Sequence, residues 1–428
     1  MTAAVRGPFA GSPRTATDDR ALIRRTAVDT LRPFDDPTAD WMLDRVRRDL
    51  PLYLLHVADH GEAVPPGLRE ALHAQDAQPC DGLVFSQYGL PELRRRLAEW
   101  LPRDEEWAAI SDPLVSVTWS GTGAAVFDVL RMLKAARPEP SAVLLPRPGW
   151  GYEVSVRDTG HRPIGYEVPA ESPLGPEPAH LREAVDRCRR EGLAIAGILV
   201  NPQHNPWGGN WTPEFLAAVA DLAEAERAPV VVDNAFYGLT TGDVRPTSAV
   251  RLLDRLIGRE LLISVRSLSK QFACSGWALG VMAGSPGLVT AYSGRWRCLR
   301  EPTANFRAQA AMASWLAGPE PARFTARRKR EATRHAGLLR TALGDAGLPG
   351  DAVLHHGGAP FALLRPPAGT AVSEVRERVV GESGVLLGVE RDAGGREWFK
   401  IWLGRDSQIF EPALRALGPA AARLWSPE

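Results

Sequence analysis

Along this chain, short apolar runs alternate with longer stretches in which apolar positions recur every three or four residues. LVSVTW (114–119), AVLLP (142–146), a run near 163–168, AIAGILV (194–200), PVVVD (229–233) and ELLISVRS (260–267) read as strands. Several are apolar at successive positions, as strands covered on both faces of a parallel sheet should be. Between them the helical period predicts helices over 124–136, 179–191 and 213–226. The last opens on Thr212-Pro213-Glu214: a hydroxyl cap, proline at the first helical position, and an acid at the positive end of the helix dipole.

The flanking regions read differently. Residues 1–20 are rich in Thr, Ala, Gly, Pro and Arg without an apolar period, which predicts a flexible arm. Leu31 to Leu72 predicts one or two helices and a turn at Pro65–Pro66, and Pro91–Leu101 places Leu93, Leu97, Trp100 and Leu101 on one helical face. After about Pro302 comes a long Arg/Glu-rich helical stretch (307–345), then strands at 361–365, 384–390 and 398–404. The expected organisation is an arm (1–20), a segment packing with the smaller domain (21–80), a large domain (81–302) and a C-terminal small domain (303–428).

Composition narrows the function classes. Fifty-one basic residues balance fifty-one acidic ones among 428, so neither nucleic acid nor an anionic membrane is the expected partner. No apolar run reaches the roughly 18–20 residues of a membrane span. Four cysteines without a CxxC suggest neither a disulfide framework nor a zinc site, and the start of the chain lacks a signal-peptide pattern, so a cytoplasmic location is expected. There is no GxSxG elbow and no HExxH, and no metal site is expected. Only four of the basic residues are lysines: Lys134, Lys270, Lys329 and Lys400. Arginine cannot lose its proton and so cannot form a Schiff base, which gives each retained lysine a possible reason; codon bias is the alternative.

The first chemical signal is Ser120-Gly121-Thr122-Gly123-Ala124, after a strand and at the start of a helix. Such a turn aims unpaired backbone N–H groups and the positive helix end at an anion. A dinucleotide fingerprint is not completed, because Val126 stands at the third glycine position, and no Gly-Lys-Ser/Thr follows for a P-loop. The turn suits phosphate, although a purely structural turn would look the same.

Four further features lie near predicted strand ends: PGWGY (148–152), NPQHNPWG (201–208), DNAFYG (233–238) and SLSK (267–270). Ligands bind outside such strand ends in open α/β sheets, which brings Trp150, Asn205, Asp233 and Lys270 toward one crevice. Each has an ordinary explanation alone: a core tryptophan, a turn asparagine, a strand-end acid, a surface lysine. Together they suit pyridoxal 5′-phosphate. That cofactor needs a helix start for its phosphate, a lysine for its aldehyde, a carboxylate for its ring nitrogen, an aromatic platform and a donor for its phenolic oxygen.

SGTGA, PGWG, NPxxNPxG, DxAxY and SLSK resemble the aminotransferase class I/II family, over roughly residues 50–405. The resemblance implies a fold-type I pyridoxal-phosphate-dependent transferase: a mixed, mostly parallel seven-stranded sheet with helices on both faces, plus a smaller α/β domain, in a homodimer with shared active sites. It implies that Lys270 forms the Schiff base and shuttles a proton, Asp233 pairs with the ring nitrogen, Asn205 bonds the phenolic oxygen and Trp150 stacks on the ring. Ser120, Gly121, Thr122, Ser267 and Ser269 would hold the phosphate, joined by Tyr88 from the neighbouring subunit.

Three departures bear on the reaction. The phosphate-binding arginine expected eight residues after the lysine is Ala278, with Arg266 a candidate replacement. The tyrosine expected three residues after the aspartate is Phe236, leaving Tyr237 to reach the phenolic oxygen. The α-carboxylate arginine of the late small-domain strand is Lys400, a point charge instead of a planar fork, and Arg405 is the alternative carboxylate receptor. His56 and His60 lie on the segment that, by resemblance, lines the substrate side, and His60 is carried forward as a substrate contact. The expected function is therefore a pyridoxal-phosphate-dependent aminotransferase-like enzyme acting at the α carbon of an amino acid or related amine, in specialised biosynthesis. The alternatives are a lyase, decarboxylase or oxidase with a single amino-acid substrate and, from another class, a non-catalytic effector-binding regulator. The regulator would need a basic DNA-reading segment that the first ~85 residues do not supply.

Overall fold

The computed structural model describes residues 17–26, 38–61, 64–77, 86–105, 114–298, 300–301 and 305–425. The chain enters through helices Arg20–Thr26 and Thr38–Arg47 and the short strand β1 (Tyr53–Leu54), followed by helices Pro66–His73 and Pro91–Asp104. Then come β2 (Leu114–Thr118), β3 (Ser141–Arg147), β4 (Arg162–Glu167), β5 (Ala194–Val200), β6 (Val230–Asp233), β7 (Leu262–Ser267) and β8 (Gly280–Gly284). They form one seven-stranded sheet in the order β2-β8-β7-β6-β5-β3-β4. Only β8 runs against the others, pairing antiparallel with both β2 and β7. The remaining pairs are parallel, so the C-terminal ends of β2, β3, β5, β6 and β7 share one edge.

The successive apolar positions in these runs are explained by two cores, one on each face. In β3, Ala142 and Leu144 pack into one core while Val143 and Leu145 pack into the other, against the helix Gly121–Ala136. β6 divides likewise, with Val230 and Val232 on one side and Val231 on the other. Each fully buried Val or Leu contributes roughly 1.5–3 kcal/mol, and the arrangement fixes register because a one-residue slip would exchange the faces.

The C-terminal part builds a core of its own. A four-stranded sheet, in the order β12-β13-β10-β9, contains β9 (Val353–Leu354), β10 (Phe361–Leu364), β12 (Gly388–Arg391) and β13 (Glu397–Trp402). β11 (Val385–Leu386) pairs in parallel with β1, tying the N-terminal segment to this region.

Several expectations need correction. Pro66 opens a helix, where proline's missing N–H costs nothing, instead of closing a turn. The stretch 307–345 is two helices, Phe306–Leu316 and Glu320–Asp345, separated where Gly318-Pro319 interrupts the backbone pattern. The predicted arm lies outside the described residues up to 16, and its end is anchored: Asp19 accepts from the Leu54 N–H at 2.8 Å and is ion-paired with Arg405. Among the described residues, no helix is long and apolar enough to cross a membrane.

Candidate active site

The shared strand edge opens into a cavity of about 300 Å³, lined in part by Ser120, Gly121, Thr122, Trp150, Asn205, Asp233, Ser267, Ser269 and Lys270. Residues scattered over 150 positions of sequence meet there because each follows the end of a parallel strand or opens a helix beside one.

At one end is the start of helix Gly121–Ala136. Gly121 has φ +82°, a conformation that favours glycine, and its N–H is taken by the Ala278 carbonyl at 2.7 Å. The next N–H groups of the first turn lack helical acceptors, and Thr122 and Gly123 line the cavity. Gly123 serves packing: a Cβ there would lie 2.6 Å from Trp150 Cη2. The indole therefore rests on the helix start, and it is 49% exposed, too open for a core residue and suited to a platform.

Asp233 ends β6 and is buried. The Tyr152 hydroxyl donates to its Oδ2 at 2.6 Å and the Ala235 N–H to its Oδ1 at 2.9 Å. Burial nevertheless dominates and raises its pKa above the usual carboxylate value. Asn201, in the NPQHNP run, donates to the Asp233 carbonyl at 2.8 Å and accepts from the Asn205 N–H at 2.8 Å, tying these two cavity-lining residues together. His204, next to Asn205 in sequence, is buried with Nε2 3.1 Å from the Pro148 carbonyl, and burial pushes its pKa down to about 3.

Lys270 lies in the short helix Leu268–Gln271, whose N-terminus is capped by the Ser267 hydroxyl accepting from the Lys270 N–H at 3.2 Å. Its Nζ sits 4.5 Å from the Phe236 ring centroid. Burial lowers the ammonium pKa, with Asp233 opposing the change and Lys400 adding to it. An amine that sheds its proton more easily is a better nucleophile toward an aldehyde.

Other assignments change. Tyr237 does not line the cavity: its ring lies under Arg266, 5.0 Å away, and its hydroxyl donates to the Asp104 carbonyl at 3.3 Å. Arg266 points off the opposite face of β7, where it bonds Asp104 at 2.6 Å and Glu105 at 2.9 Å and cannot replace the missing phosphate arginine. Arg405 is fully buried between Asp19 and Asp59, so it holds the N-terminal segment and no ligand. His60 is also structural. Its Nε2 is 2.6 Å from the Lys270 carbonyl, and its Nδ1 lies 2.8 Å from the Gly404 carbonyl and 2.7 Å from Arg328 Nη2, so both ring nitrogens are engaged within the protein. Its pKa falls to about 4, through burial first and Arg328 second. Ser269 lines the cavity, but its hydroxyl is committed to Leu279, donating at 3.1 Å and accepting at 2.8 Å. Tyr88 lies at the β2 edge, its carbonyl accepting from the Val117 N–H at 2.8 Å and its ring 5.0 Å from the Arg94 guanidinium. Lys400 reaches Asn205 Oδ1 at 3.4 Å and forms an ion pair with Glu390. Sequence reasoning missed Tyr152, Asn201, Phe236 and Ser275 as site residues, although the first three lie inside the motifs it singled out.

A buried lysine, a buried acid, an exposed indole and a helix start around one cavity define an α/β protein with room and chemistry for a phosphorylated aromatic ring. The family profile described as aminotransferase class I and II matches residues 58–417, and the chain belongs to that family. It is 26% identical to the aspartate aminotransferase of Bacillus subtilis (strain 168) over 204 residues, 47% of this chain and 49% of that one. The match thus spans about half of that relative's length. It is 26% identical over 389 residues to LL-diaminopimelate aminotransferase of Desulforudis audaxviator (strain MP104C), covering 89% and 93%. A solved double mutant of Thermus thermophilus aspartate aminotransferase superimposes with a TM-score of 0.75 at 22% identity, over 92% of this chain and 98% of that one, a likeness of fold.

The family implies pyridoxal 5′-phosphate, and the residues present fit it: one cavity is lined by a lysine, a buried acid, an exposed indole and a glycine turn where a Cβ at 123 would strike that indole. Among the described residues, no arginine lines the cavity and Lys270 is its one lysine; Ser120, Gly121, Thr122, Ser267 and Ser275 lie along it near the helix start. Ala278 already has φ +54°, so Ala278→Arg adds no new left-handed residue. A charged hydrogen bond there should tighten pyridoxal-phosphate binding about tenfold, measured by equilibrium dialysis. Unchanged affinity would mean that the phosphate lies elsewhere.

Proposed function

We propose that this protein is a pyridoxal-phosphate-dependent aminotransferase acting at the nitrogen-bearing carbon of an amino acid or related amine, in specialised biosynthesis. The convergence of Lys270, Asp233, Asn205 and Trp150 on one cavity beside the glycine turn carries the reading. When bound, the cofactor supplies an electron sink for negative charge on the carbon next to the nitrogen. Lys270 Nζ would hold the cofactor covalently and, once released, could move a proton, its lowered pKa suiting both tasks. Asp233, kept in place by Tyr152 and Asn201, would pair with the ring nitrogen, Asn205 would donate to the phenolic oxygen and Trp150 would stack on the ring.

The proposal includes a homodimer in which Tyr88 reaches the neighbouring copy's phosphate site, and a cytoplasmic enzyme. A second reading, a lyase, decarboxylase or oxidase with a single substrate, draws support from Ala278 and from the pairing of Lys400 with Glu390. After an amine has bleached the enzyme's visible absorbance, a carbonyl acceptor, an aldehyde such as propanal or a keto acid such as pyruvate or 2-oxoglutarate, should restore it in a transaminase. Absorbance that no acceptor restores, with a new product from the amine alone, would favour the second reading.

A further inference from the structure

The position where the family resemblance expects a carboxylate-binding arginine is already engaged within the chain. β12 and β13 run antiparallel with Gly388 opposite Lys400, which makes Glu390 and Lys400 diagonal neighbours on one face of the sheet. A Cβ on Gly388 would lie 3.3 Å from Lys400 Cβ and 3.4 Å from its Cε, so the lysine stem lies along the glycine. Its ammonium is ion-paired with Glu390, and both side chains are largely withdrawn from water, 12% and 27% exposed. The same ammonium donates to Asn205 Oδ1 at 3.4 Å, at a residue that lines the cavity. Lys400 therefore has two partners within the chain, and neither is a ligand's carboxylate. An incoming carboxylate would meet a neutralised cation and, beside it, the like charge of Glu390.

We propose that Glu390 sets the substrate class: the crevice takes a primary amine with no carboxylate on its reacting carbon, and Lys400 acts as a positioning residue for Asn205. The proposal rests on the pyridoxal-phosphate reading and narrows its substrate. Glu390 discriminates by repelling anions and by occupying the cation that would otherwise attract them. A ligand with a carboxylate would have to break a half-buried pair and leave one charge without its partner.

The test compares wild type with Glu390→Gln and Glu390→Asp. Calorimetric titration with propanoate, with and without bound pyridoxal phosphate, should give at least tenfold tighter binding to Glu390→Gln, while Glu390→Asp stays like wild type. With cofactor bound, 1-aminopropane should bleach wild-type absorbance at lower concentration than alanine, and Glu390→Gln should shift that ratio toward alanine by about tenfold. Equal propanoate affinity in wild type and Glu390→Gln, or a wild-type preference for alanine, would overturn the proposal. So would a Glu390→Gln variant that only melts earlier without moving either ratio. Cofactor content after borohydride reduction is read separately: a propanoate contrast in protein that never retains cofactor would leave the charge arrangement standing and overturn the cofactor reading.

Discussion

Lys270→Arg should fold and melt like wild type yet lose at least about a thousandfold in turnover, a loss of the size that removing a central proton carrier or nucleophile produces. The substitution is chosen because it preserves charge and a long stem. Lys270 Nζ lies over the Phe236 ring, and a guanidinium stacks there at least as well. The backbone contacts do not involve the side chain: the Ser267 hydroxyl accepts from the Lys270 N–H and His60 approaches the Lys270 carbonyl. What arginine lacks is a nitrogen that can give up its proton and bond to carbon. Burial already weakens the lysine's hold on that proton, whereas a guanidinium keeps its own at any working pH. Borohydride reduction followed by intact mass measurement should find covalent cofactor on wild type and none on the variant. Covalent cofactor on Lys270→Arg would place the attachment at another lysine and dissolve the assignment.

The success of sequence reasoning had a physical basis in the sheet. Strands covered on both faces must be apolar at successive positions, so β3, β5 and β6 stood out, and the chemistry-bearing residues follow their ends. β8 was less legible as Gly-Val-Met-Ala-Gly: its first glycine is there because a Cβ would lie 2.6 Å from Thr118 Oγ1, and that crowding cannot be read from the run itself. The motifs carried Lys270, Asp233, Asn205 and Trp150 because their spacing from strand ends is local. Tyr237, Arg405 and His60 were misplaced because their surroundings are not. Arg405 finds Asp19, 386 residues earlier, and His60 finds the Lys270 carbonyl 210 residues later. Arg266 was ambiguous by strand alternation alone until Asp104 and Glu105 were found on its side of the sheet. Glu390 left no motif at all, since its effect depends on the register that sets it diagonal to Lys400.

Asp233→Asn should lower turnover by about a hundred- to a thousandfold, the range seen when a fixed charge aimed at a reacting group is lost. At neutral pH the cofactor-free variant should also melt at least about 2 °C higher than cofactor-free wild type. The two effects have one cause. Burial raises the folded-state pKa of Asp233 above its unfolded value near 3.8, although Tyr152, Ala235 and Lys270 pull the other way. Between those two values the folded protein binds more protons than the unfolded chain, so its stability falls as pH rises through that window. Above the window the full cost of a buried carboxylate remains, and an amide does not incur it. Below it both forms are neutral, and the difference in melting temperature between wild type and variant should disappear in acid. The amide can accept from the Ala235 N–H, and the Tyr152 hydroxyl can turn to accept from its N–H₂, so packing is retained. Ring nitrogen pairing is what the carboxylate gains by its burial: a cofactor opposite Asp233 offsets the desolvation, and wild type should gain more melting temperature from pyridoxal phosphate than the variant does. A variant that is less stable without cofactor at neutral pH, or one that gains as much from cofactor as wild type, would mean that Asp233 is a structural hydrogen-bond acceptor with no charge directed at the ring.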